Sequence, residues 1–380
     1  MSVEAAIVGA GETPYTRRPA PGASTESLLA DAARRTLASA GLEPRAVDGL
    51  AVASFSLQPD HAVDLAWKLG LRLRWLMDDA NGGASGLNML AHARRAIEAG
   101  DAARVLVLGG DLFTPESFRE LLTNYNRTTR DELVPLGYGG PNELFAALTL
   151  RHMQATGLEE SDYAQIPLAQ RAWAVGNPGA LYREPLSLEQ YLAAPVVAEP
   201  LRRFDCAPLA AGADGVVLAS AGAKAHVRIR SIRAVYNHDG QGGDGLATGL
   251  ADEADGLYAE AGIGPEDVDV VSVYDDYPVM AAIQLAELGF APSGDLRRLL
   301  HERIATRSLP VNTSGGQLSA GQAGAAGGLH GLVEVVRQLR GEAVGRQVEG
   351  ARRAVVSGYG MVLRSYGGCA NAAVLERVAP

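Results

Sequence analysis

Residues 38–54 read ASAGLEPRAVDGLAVAS, and residues 259–275 read AEAGIGPEDVDVVSVYD. The two stretches align without a gap. Identical residues occupy their glycine, proline and aspartate positions: Gly41 and Gly262, Pro44 and Pro265, and Asp48 and Asp269. Each stretch has the pattern of a helix end, a glycine cap, a short loop and a buried strand. Such junctions are common in α/β proteins, but the gapless match favours a repeated unit, so we predict two similar α/β halves.

Helix and strand patterns alternate on both sides of the first stretch. Short apolar runs typical of strands occupy residues 5–11, 47–54 and 104–109, and amphipathic patterns typical of helices occupy residues 25–40 and 85–99. Alternation of this kind is typical of parallel strands joined by helices. We therefore predict a mainly parallel sheet that is covered by helices.

A second, weaker pairing extends the repeat. A helix pattern at residues 326–340 and a strand pattern at residues 354–357 repeat the order already seen at residues 85–99 and 104–109. We predict an N-terminal half over residues 1–222 and a C-terminal half over residues 223–380. The N-terminal half then contains an insertion at about residues 112–200.

The net charge of the chain limits the kinds of molecule that it is expected to bind. The chain of 380 residues carries 44 acidic and 34 basic residues and a net charge of -10, which argues against bulk binding of nucleic acid. Arginines stand in pairs at Arg17–Arg18, Arg202–Arg203 and Arg352–Arg353. A solvated surface is the favoured interpretation of each pair, although a local arginine cluster is also able to hold a phosphate group.

Cysteine and histidine usage argues against a metal centre. The chain has two cysteines, Cys206 and Cys369, and seven histidines. Two cysteines do not make a disulfide framework or a zinc-ligand pattern, and no two histidines stand four residues apart. No stretch has the roughly 18 uninterrupted apolar residues of a membrane helix, and no secretion signal opens the sequence. We expect a cytoplasmic protein that has no bound cofactor or metal and spans no membrane.

Four stretches resemble the sterol-carrier branch of the thiolase superfamily. They are AAIVGAGETPY at residues 5–15, AEPLRRFDCAPLAAGADGVVLAS at residues 198–220, NTSGGQLSAGQAGAAGG at residues 312–328 and VVSGYGM at residues 355–361. The resemblance covers essentially the whole chain, and the Asn-Thr-Ser-Gly-Gly run is its most specific part. It implies an α/β thiolase-like fold, with two similar halves in a layered αβαβα arrangement.

The catalytic positions of that family are all altered. A thiolase uses a cysteine nucleophile, a histidine in a Gly-His-Pro stretch that activates it, and a second cysteine in a Cys-x-Gly stretch. By resemblance, Gly83 stands at the nucleophile, Gln322 stands nearest the histidine, and Gly358-Tyr359-Gly360 matches the Cys-x-Gly stretch. Because glycine has no side chain to acylate, covalent thiolysis by the usual route is excluded.

The altered positions resemble those of cysteine-less steroid side-chain aldolases of the same superfamily. That resemblance implies retro-aldol cleavage of a 3-hydroxyacyl-CoA that carries a steroid or another bulky group, with acyl-CoA as substrate. It also implies a homodimer that pairs with a small OB-fold/zinc-ribbon protein in a heterotetramer. Two alternatives stay open: an acyltransferase with a displaced nucleophile such as Cys369, and a non-catalytic subunit that binds a CoA ester.

Candidate catalytic residues follow from this chemistry. A base must take the hydroxyl proton, and Tyr274 is the first choice, with Asp275 and Asp276 as alternatives. The competing interpretation is that the tyrosine packs and the aspartates cap a helix. Backbone N–H groups of Gly83 and Gly360 are expected to hold the enolate oxygen.

The remaining candidates are one further catalytic residue and a set of substrate contacts. Gln322 is expected near the reacting groups because it stands closest to the family's histidine. Substrate contacts are expected from five residues in glycine-rich or loop stretches: Asn312, Gly315, Gly316, His238 and Tyr359.

Overall fold

The computed structural model of the protein describes residues 4–123, 129–138, 140–221, 226–240, 242–363 and 366–378. Its strands are β1 (Ala5–Glu12), β2 (Gly49–Ala53), β3 (Trp75–Asp79), β4 (Arg104–Asp111), β5 (Val196–Ala198), β6 (Leu201–Arg202), β7 (Gly212–Ser220), β8 (His226–Tyr236), β9 (Val270–Ser272), β10 (Arg353–Leu363) and β11 (Tyr366–Val378).

Helices surround these strands. They are α1 (Thr25–Ala40), α2 (His61–Lys68), α3 (Ser85–Ala99), α4 (Pro115–Thr123), α5 (Pro141–Thr156), α6 (Glu160–Tyr163), α7 (Gln165–Ala174), α8 (Leu188–Leu192), α9 (Leu250–Ala261), α10 (Pro278–Glu287), α11 (Leu296–Arg298), α12 (Gly316–Ala320) and α13 (Gly327–Arg340). Among the described residues, none of these helices has both the length and the apolar character needed to cross a bilayer.

Helix α1 illustrates how the sequence sets the elements. Ser24 caps its first turn and exchanges hydrogen bonds with Ser27, as in a capping box. The helix buries Leu29, Ala33 and Leu37 at helical spacing and ends at Gly41, whose φ of 64° suits a residue without a side chain. The predicted helices at residues 25–40 and 85–99 are confirmed as α1 and α3.

Nine strands form one mixed sheet in the order β3-β2-β4-β7-β1-β8-β11-β10-β9, and β5 pairs with β6 separately. Among the described strands, β2 pairs in parallel with β3 and β4, and β9 pairs in parallel with β10. The prediction of a mainly parallel sheet is therefore wrong. Helices also connect strands that are not neighbours, such as β1 and β2 through α1, and β7, β1, β8 and β11 lie antiparallel to their neighbours in the sheet.

The helices pack in layers on two groups of strands, one containing β1, β4 and β7 and the other containing β8 and β11. Helix α1 packs on β1, β4 and β7, and α9 packs on β8 and β11. Between these groups lie α3 and α13, which contact each other, and α13 touches both β4 and β10. This arrangement confirms the expected αβαβα layering.

The two repeated stretches fold alike. Helix α9 ends at Gly262 with a φ of 68°, and short turns at Pro44–Ala46 and Pro265–Asp267 lead into β2 and β9. The Asp48 side chain accepts hydrogen bonds from the backbone N–H of Ala103 and Arg104, and Asp269 accepts from Arg352 and Arg353 in the same way. The predicted boundary between the halves falls at residues 222–225, outside the described residues, and the division stays a prediction.

Candidate active site

A cavity of about 400 Å³ collects most of the candidate catalytic residues. Its polar lining includes residues from four separate segments: Gly83, Tyr274, Asp276, Gln322, Tyr359 and Gly360. These segments are the turn before α3, the connection from β9 to α10, the loop after α12, and strand β10. The structure therefore brings together Gly83, Tyr274, Gln322, Tyr359 and Gly360, which are distant in sequence.

Tyr274 occupies the space that a side chain at position 83 would need. A Cβ atom built on Gly83 would lie 2.3 Å from Cε2 of Tyr274 and 2.3 Å from the carbonyl oxygen of Tyr359. Both separations are far below van der Waals contact, so position 83 accepts only glycine while Tyr274 keeps this place. The room left by the missing cysteine is filled by protein.

Two glycine backbones meet at this point. Gly83 lies in the short turn Gly82–Ala84, where the first N–H groups of a helical segment have no helical acceptor. A Cβ atom on Gly360 would lie 1.9 Å from the carbonyl oxygen of Asn81 and 2.9 Å from the nitrogen of Gly83. Strand β10 therefore packs directly on the turn, which requires glycine at both positions.

Tyr274 is held at both ends. The side chain of Gln322 donates a hydrogen bond of 3.0 Å from Nε2 to the phenol oxygen. Gln284 on α10 donates to the carbonyl oxygen of Tyr274 at 2.7 Å and accepts from its N–H at 3.3 Å. Gln284 was not among the residues predicted from sequence, although a glutamine within the apolar run of α10 is a visible signal.

Asp276, which the sequence offered only as an alternative base, also lines the cavity. Its carboxylate accepts a hydrogen bond from the hydroxyl of Tyr359, and both groups line the cavity. Burial raises the pKa of Asp276 to about 7, the hydrogen bond from Tyr359 acts in the opposite direction, and the charge of Asp275 adds to the rise. Asp276 is thus a carboxylate able to gain and lose a proton near neutral pH.

Asp275 points away from the cavity lining. Its carboxylate accepts hydrogen bonds from the backbone N–H groups of Gln317 at 3.0 Å and Leu318 at 3.4 Å, at the start of α12. Burial raises the pKa of Asp275 to about 7 despite these two donors. The arrangement is that of a helix-capping carboxylate, although the capped helix is α12 rather than the helix that follows Asp275 in sequence.

We expect the free energy of unfolding to fall as pH rises from about 4 to about 7. In that window, the folded protein holds protons on Asp275 and Asp276 that the unfolded chain, with an aspartate pKa near 3.9, has already lost. The Asp275→Asn variant removes one of the two groups and should flatten the fall by roughly 1–4 kcal/mol. Guanidinium unfolding at pH 5 and pH 8 measures the difference.

The matched control is Asp295→Asn. Asp295 also caps a helix, by accepting from the N–H of Arg298 at 2.9 Å, but its side chain is exposed. This variant should keep the full pH dependence of the wild type. An Asp275→Asn protein with an unchanged fall in stability would contradict the assignment of the buried titration.

The other predicted substrate contacts lie outside the cavity lining. The Asn312 side chain bonds to both the N–H and the carbonyl oxygen of Val273, and so fixes the backbone next to Tyr274. Gly315 packs on Ala174, and Gly316 lies against Asp275. His238 packs against Gly249 before α9. Asn312 and Gly316 therefore contact the residues next to Tyr274 and do not line the cavity, and His238 lies near the start of α9.

An apolar wall completes the cavity. It is formed by aromatic and aliphatic side chains of the first half, including Phe55, Phe113, Phe118, Leu121 and Leu122. The rings of Phe55 and Phe118 both contact that of Phe113, with centroids 6.4 and 5.6 Å apart. A wall of this kind suits an apolar group and offers it no hydrogen bond.

A buried aspartate ties this wall to the catalytic loop. One oxygen of Asp111 accepts from the N–H of Phe55 at 2.8 Å and from Ser54 and Ser56, and the other accepts from the N–H of Ala325 at 2.7 Å. Ala325 follows Gln322 in the loop between α12 and α13. Asp111 thereby fixes the aromatic wall relative to the glycine-rich loop.

Neither cysteine takes the place of the missing nucleophile. Burial raises the pKa of Cys206, which lines the cavity, to about 12, and that of Cys369 to about 11. Cys369 lies on strand β11 opposite Gly360 of β10, with its sulfur 3.4 Å from the carbonyl oxygen of Gly360. Both thiols are protonated at neutral pH and are therefore weak nucleophiles.

One group of potential metal ligands converges in the described part of the chain: Glu12, Asp214 and His330. Arg337 donates to Glu12, and the hydroxyl of Tyr15 donates to Asp214 at 2.8 Å. Burial acts to lower the pKa of His330, but the hydrogen bond and charge of Asp214 outweigh it and the pKa is raised. These contacts join the three side chains in an ion-pair network, in which Oδ1 of Asp214 has no hydrogen-bond partner among the described residues.

Comparison with known proteins agrees with the fold. Residues 236–375 match the family model described as Thiolase C-terminal domain-like. The chain is 31% identical over 368 residues to the 17-hydroxy-3-oxo-4-pregnene-20-carboxyl-CoA lyase of Mycobacterium tuberculosis (strain ATCC 25618 / H37Rv), a match that covers 90% of this chain and 93% of that protein. It is 27% identical to the steroid side-chain-cleaving aldolase of Thermomonospora curvata, across 94% of this chain and 95% of that protein.

A solved structure shows the same architecture. The Ltp2-ChsH2(DUF35) aldolase superposes with a TM-score of 0.82 at 23% identity, and the match covers 98% of this chain and 97% of that chain. At this level of identity the similarity shows the fold.

Proposed function

This chain belongs to the thiolase superfamily, and we propose that it cleaves a carbon–carbon bond of a 3-hydroxyacyl-CoA by a retro-aldol reaction. The observation that carries the proposal is the ring of Tyr274 in the space of the side chain at position 83. A site built this way has no place for an acylated nucleophile, yet it keeps the glycine backbone around it. The names of the CoA lyase and the aldolase that resemble this chain support the same reaction class.

The reaction needs acid–base groups and no covalent adduct. A base takes the proton of the C3 hydroxyl, the C2–C3 bond breaks, and its electron pair stays on C2. C3 becomes the carbonyl carbon of a ketone or aldehyde, and C2 becomes the enolate of a shorter acyl-CoA. A proton then adds to C2, so nothing is oxidised or reduced and no co-reactant is consumed.

We assign the proton transfers to Asp276. Its carboxylate lines the cavity and has a pKa of about 7, so it accepts the hydroxyl proton near neutral pH and afterwards returns that proton to C2. Tyr359 donates to this carboxylate and fixes its orientation. The assignment departs from our first expectation of Tyr274 as base, because the ordinary pKa of a phenol, near 10, is poorly matched to this task.

Tyr274 and Gln322 are then assigned to the hydroxyl of the substrate. Gln322 donates to the phenol oxygen and so sets the direction of its O–H bond. The backbone N–H groups of Gly83 and Gly360, whose chains pack directly on each other, are assigned to the thioester oxygen on which enolate charge develops. Donors that are fixed before the reaction stabilise this charge without reorganisation.

The wall of phenylalanine and leucine residues is assigned to the part of the substrate that leaves as ketone or aldehyde. Phe113 and Phe118 offer flat apolar surfaces, which suit a bulky ring system. The word pregnene in the name of the similar lyase points to the same kind of group. We therefore propose a steroid or another polycyclic 3-hydroxyacyl-CoA as substrate.

We also propose that the chain works as a homodimer with a DUF35 protein of the OB-fold/zinc-ribbon type. The similar solved structure supports this partner, because the name Ltp2-ChsH2(DUF35) aldolase joins an aldolase to a DUF35 protein. The two free cysteines, Cys206 and Cys369, are compatible with a reducing compartment, and we place the protein in the cytoplasm.

The direct test is turnover of 3-hydroxyacyl-CoA esters with substituents that range from a short alkyl chain to a steroid ring system. The chain is assayed alone and after co-expression with a DUF35 protein, and the ketone and the shorter acyl-CoA are quantified by mass spectrometry. We expect equal amounts of the two products and no mass added to the protein. An acyl adduct on Cys206 or Cys369 would instead support an acyltransferase.

Binding separates the lyase from a non-catalytic subunit. A protein that binds the esters tightly but releases no product with any member of the panel, with or without the partner, would favour a binding role. The proposal would then be abandoned.

A further inference from the structure

Two arginines converge on the side chain of Tyr182, outside the cavity. The guanidinium carbon of Arg171 lies 4.9 Å from the centre of the Tyr182 ring, and Nη1 of Arg17 donates to the hydroxyl of the same tyrosine at 3.3 Å. These residues come from α7, from the loop before α8, and from the segment after β1. The fold therefore places like charges next to each other.

Arg171 is buried without a counter-ion. Its side chain donates to the hydroxyl of Ser319 at 3.1 Å and to the carbonyl oxygen of Glu184 at 3.4 Å, and both acceptors are neutral. Within the described residues, no carboxylate lies within 4 Å of its guanidinium group. A buried cation of this kind is costly unless a ring or an anion compensates it.

A second ring contacts Arg171, and the residue before that ring is a third arginine. The guanidinium of Arg171 also lies 5.4 Å from the ring of Phe204, which follows Arg203 in sequence. Burial lowers the pKa of Arg171, and the charge of Arg203 lowers it further, so the two cations interact. The neighbouring acid, Asp205, is turned towards the hydroxyl of Tyr191 at 2.7 Å.

Two other arginines of the predicted surface pairs have acidic partners. Arg202 bonds to Glu160 at 2.8 Å, and Arg353 lies 3.4 Å from a carboxylate oxygen of Asp267. In the described chain, the exposed side chains of Arg17 and Arg203 have no carboxylate within 4 Å. In a protein with a net charge of -10, cations that converge without acids indicate a site for an anion.

The cluster borders the candidate active site. Phe204 stands two residues before Cys206, which lines the cavity. Leu181, next to Tyr182, lies 2.9 Å from the position that a Cβ atom on Gly321 would take, and Gly321 precedes Gln322. A ligand with its reactive end in the cavity and an anionic tail beside the arginines is able to contact both regions.

We propose that Arg17, Arg171 and Arg203 bind the phosphate groups of the CoA ester, in particular those of its 3′-phosphoadenosine diphosphate end. The proposal rests on the proposed function only for the identity of the molecule that carries the phosphates. Guanidinium groups bind phosphate oxygens in pairs of parallel hydrogen bonds, which a single carbonyl or hydroxyl acceptor does not provide. Arg17 and Arg203 contribute exposed donors, and Arg171 contributes a charge that is already desolvated.

Calorimetric titration with adenosine 3′,5′-bisphosphate tests the site without any turnover. The Arg17→Ala/Arg203→Ala variant alters exposed side chains only, so it should fold, and we expect the bisphosphate to bind about a hundredfold more weakly. The matched control, Arg352→Ala, removes an exposed arginine whose backbone bonds to Asp269 before β9, and this variant should bind within twofold of the wild type. Arg171→Gln, checked for folding by circular dichroism, should also weaken binding.

Further experiments identify the molecule that supplies the phosphate. They also distinguish the proposed phosphate site from the proposed lyase activity. Inorganic phosphate should bind much more weakly than the bisphosphate, and equal affinity would overturn the assignment to CoA. With an active substrate, the double variant should raise KM for the CoA ester while leaving kcat for the matching pantetheine ester unchanged. An unaltered bisphosphate affinity in the double variant overturns the site even if turnover is observed. Bisphosphate binding that depends on these arginines, without turnover of any ester, preserves the site and rejects the lyase.

Discussion

Replacing Gly83 with alanine should lower kcat/KM for the 3-hydroxyacyl-CoA by at least about a thousandfold. The added methyl group would lie 2.3 Å from both the ring of Tyr274 and the backbone of Tyr359, so one or both must move. The ring carries the hydroxyl that we assign to the substrate, and the backbone leads directly to Gly360. Steady-state kinetics on the proposed substrate and guanidinium unfolding measure the two consequences, and we expect a loss of about 1–3 kcal/mol in stability.

For the same reason, Gly83→Cys should not restore thiolase chemistry. The sulfur would need still more of the space that Tyr274 fills, so the variant should lose the lyase activity and gain no acylation. Gly140→Ala is the matched control, because Gly140 lines the same cavity in an extended conformation and its added Cβ atom would meet its nearest neighbour, Leu122, at 3.5 Å. A Gly83→Ala protein as active as Gly140→Ala would show that the Tyr274 ring is not fixed in this position.

Asp276→Asn should lower kcat/KM by about 10²–10⁴-fold with the fold intact, the usual contribution of a positioned acid–base group. In the wild type, kcat/KM should rise with pH through about 7, because only the ionised form of Asp276 accepts the hydroxyl proton. The asparagine variant should lose this dependence. Rates measured from pH 5 to pH 9, together with circular dichroism, test both statements.

Two further variants sharpen the assignment of Asp276. Tyr359→Phe removes a hydrogen bond that lowers the pKa of Asp276, so the midpoint of the pH profile should move to higher pH. Glu143→Gln alters another carboxylate in the cavity lining and should change the rate less than tenfold. A midpoint that is unchanged in Tyr359→Phe, or substantial activity in Asp276→Asn, would transfer the role of base to another group.

Local patterns predicted the elements of the fold well. The cap at Ser24, the glycine at position 41 and the apolar spacing between them fix α1, and the loop and strand signals of residues 38–54 recur at residues 259–275 with the same structure. Strand direction was predicted wrongly because it depends on which strands become neighbours. A strand–helix–strand pattern in the sequence favours parallel strands. The antiparallel pairing of β7 with β4 is a long-range contact that has no local sequence pattern.

Site residues could be predicted from the sequence where close backbone packing requires glycine. They could not be predicted where the site depends on contacts between side chains that are distant in sequence. Gly83 and Gly360 are visible in sequence, and the structure explains both by close approach of two chains. The hydrogen bond from Tyr359 to Asp276 joins residues on either side of α10 and α13, and its effect on the carboxyl depends on burial. Asp275 was weighed as a base because sequence does not show that its oxygens face the first turn of α12.

Part of the apolar wall stands on a different element from the proton-transferring groups. Phe118, Leu121 and Leu122 belong to α4, within the predicted insertion, whereas Tyr274, Asp276 and Gly360 belong to the repeated frame and its loops. Selection on α4 is therefore free to exchange one leaving group for another without disturbing the chemistry. In evolutionary terms, the range of substrates and the reaction are separately inherited traits, and a lineage with this frame is able to diversify by replacing a single helix.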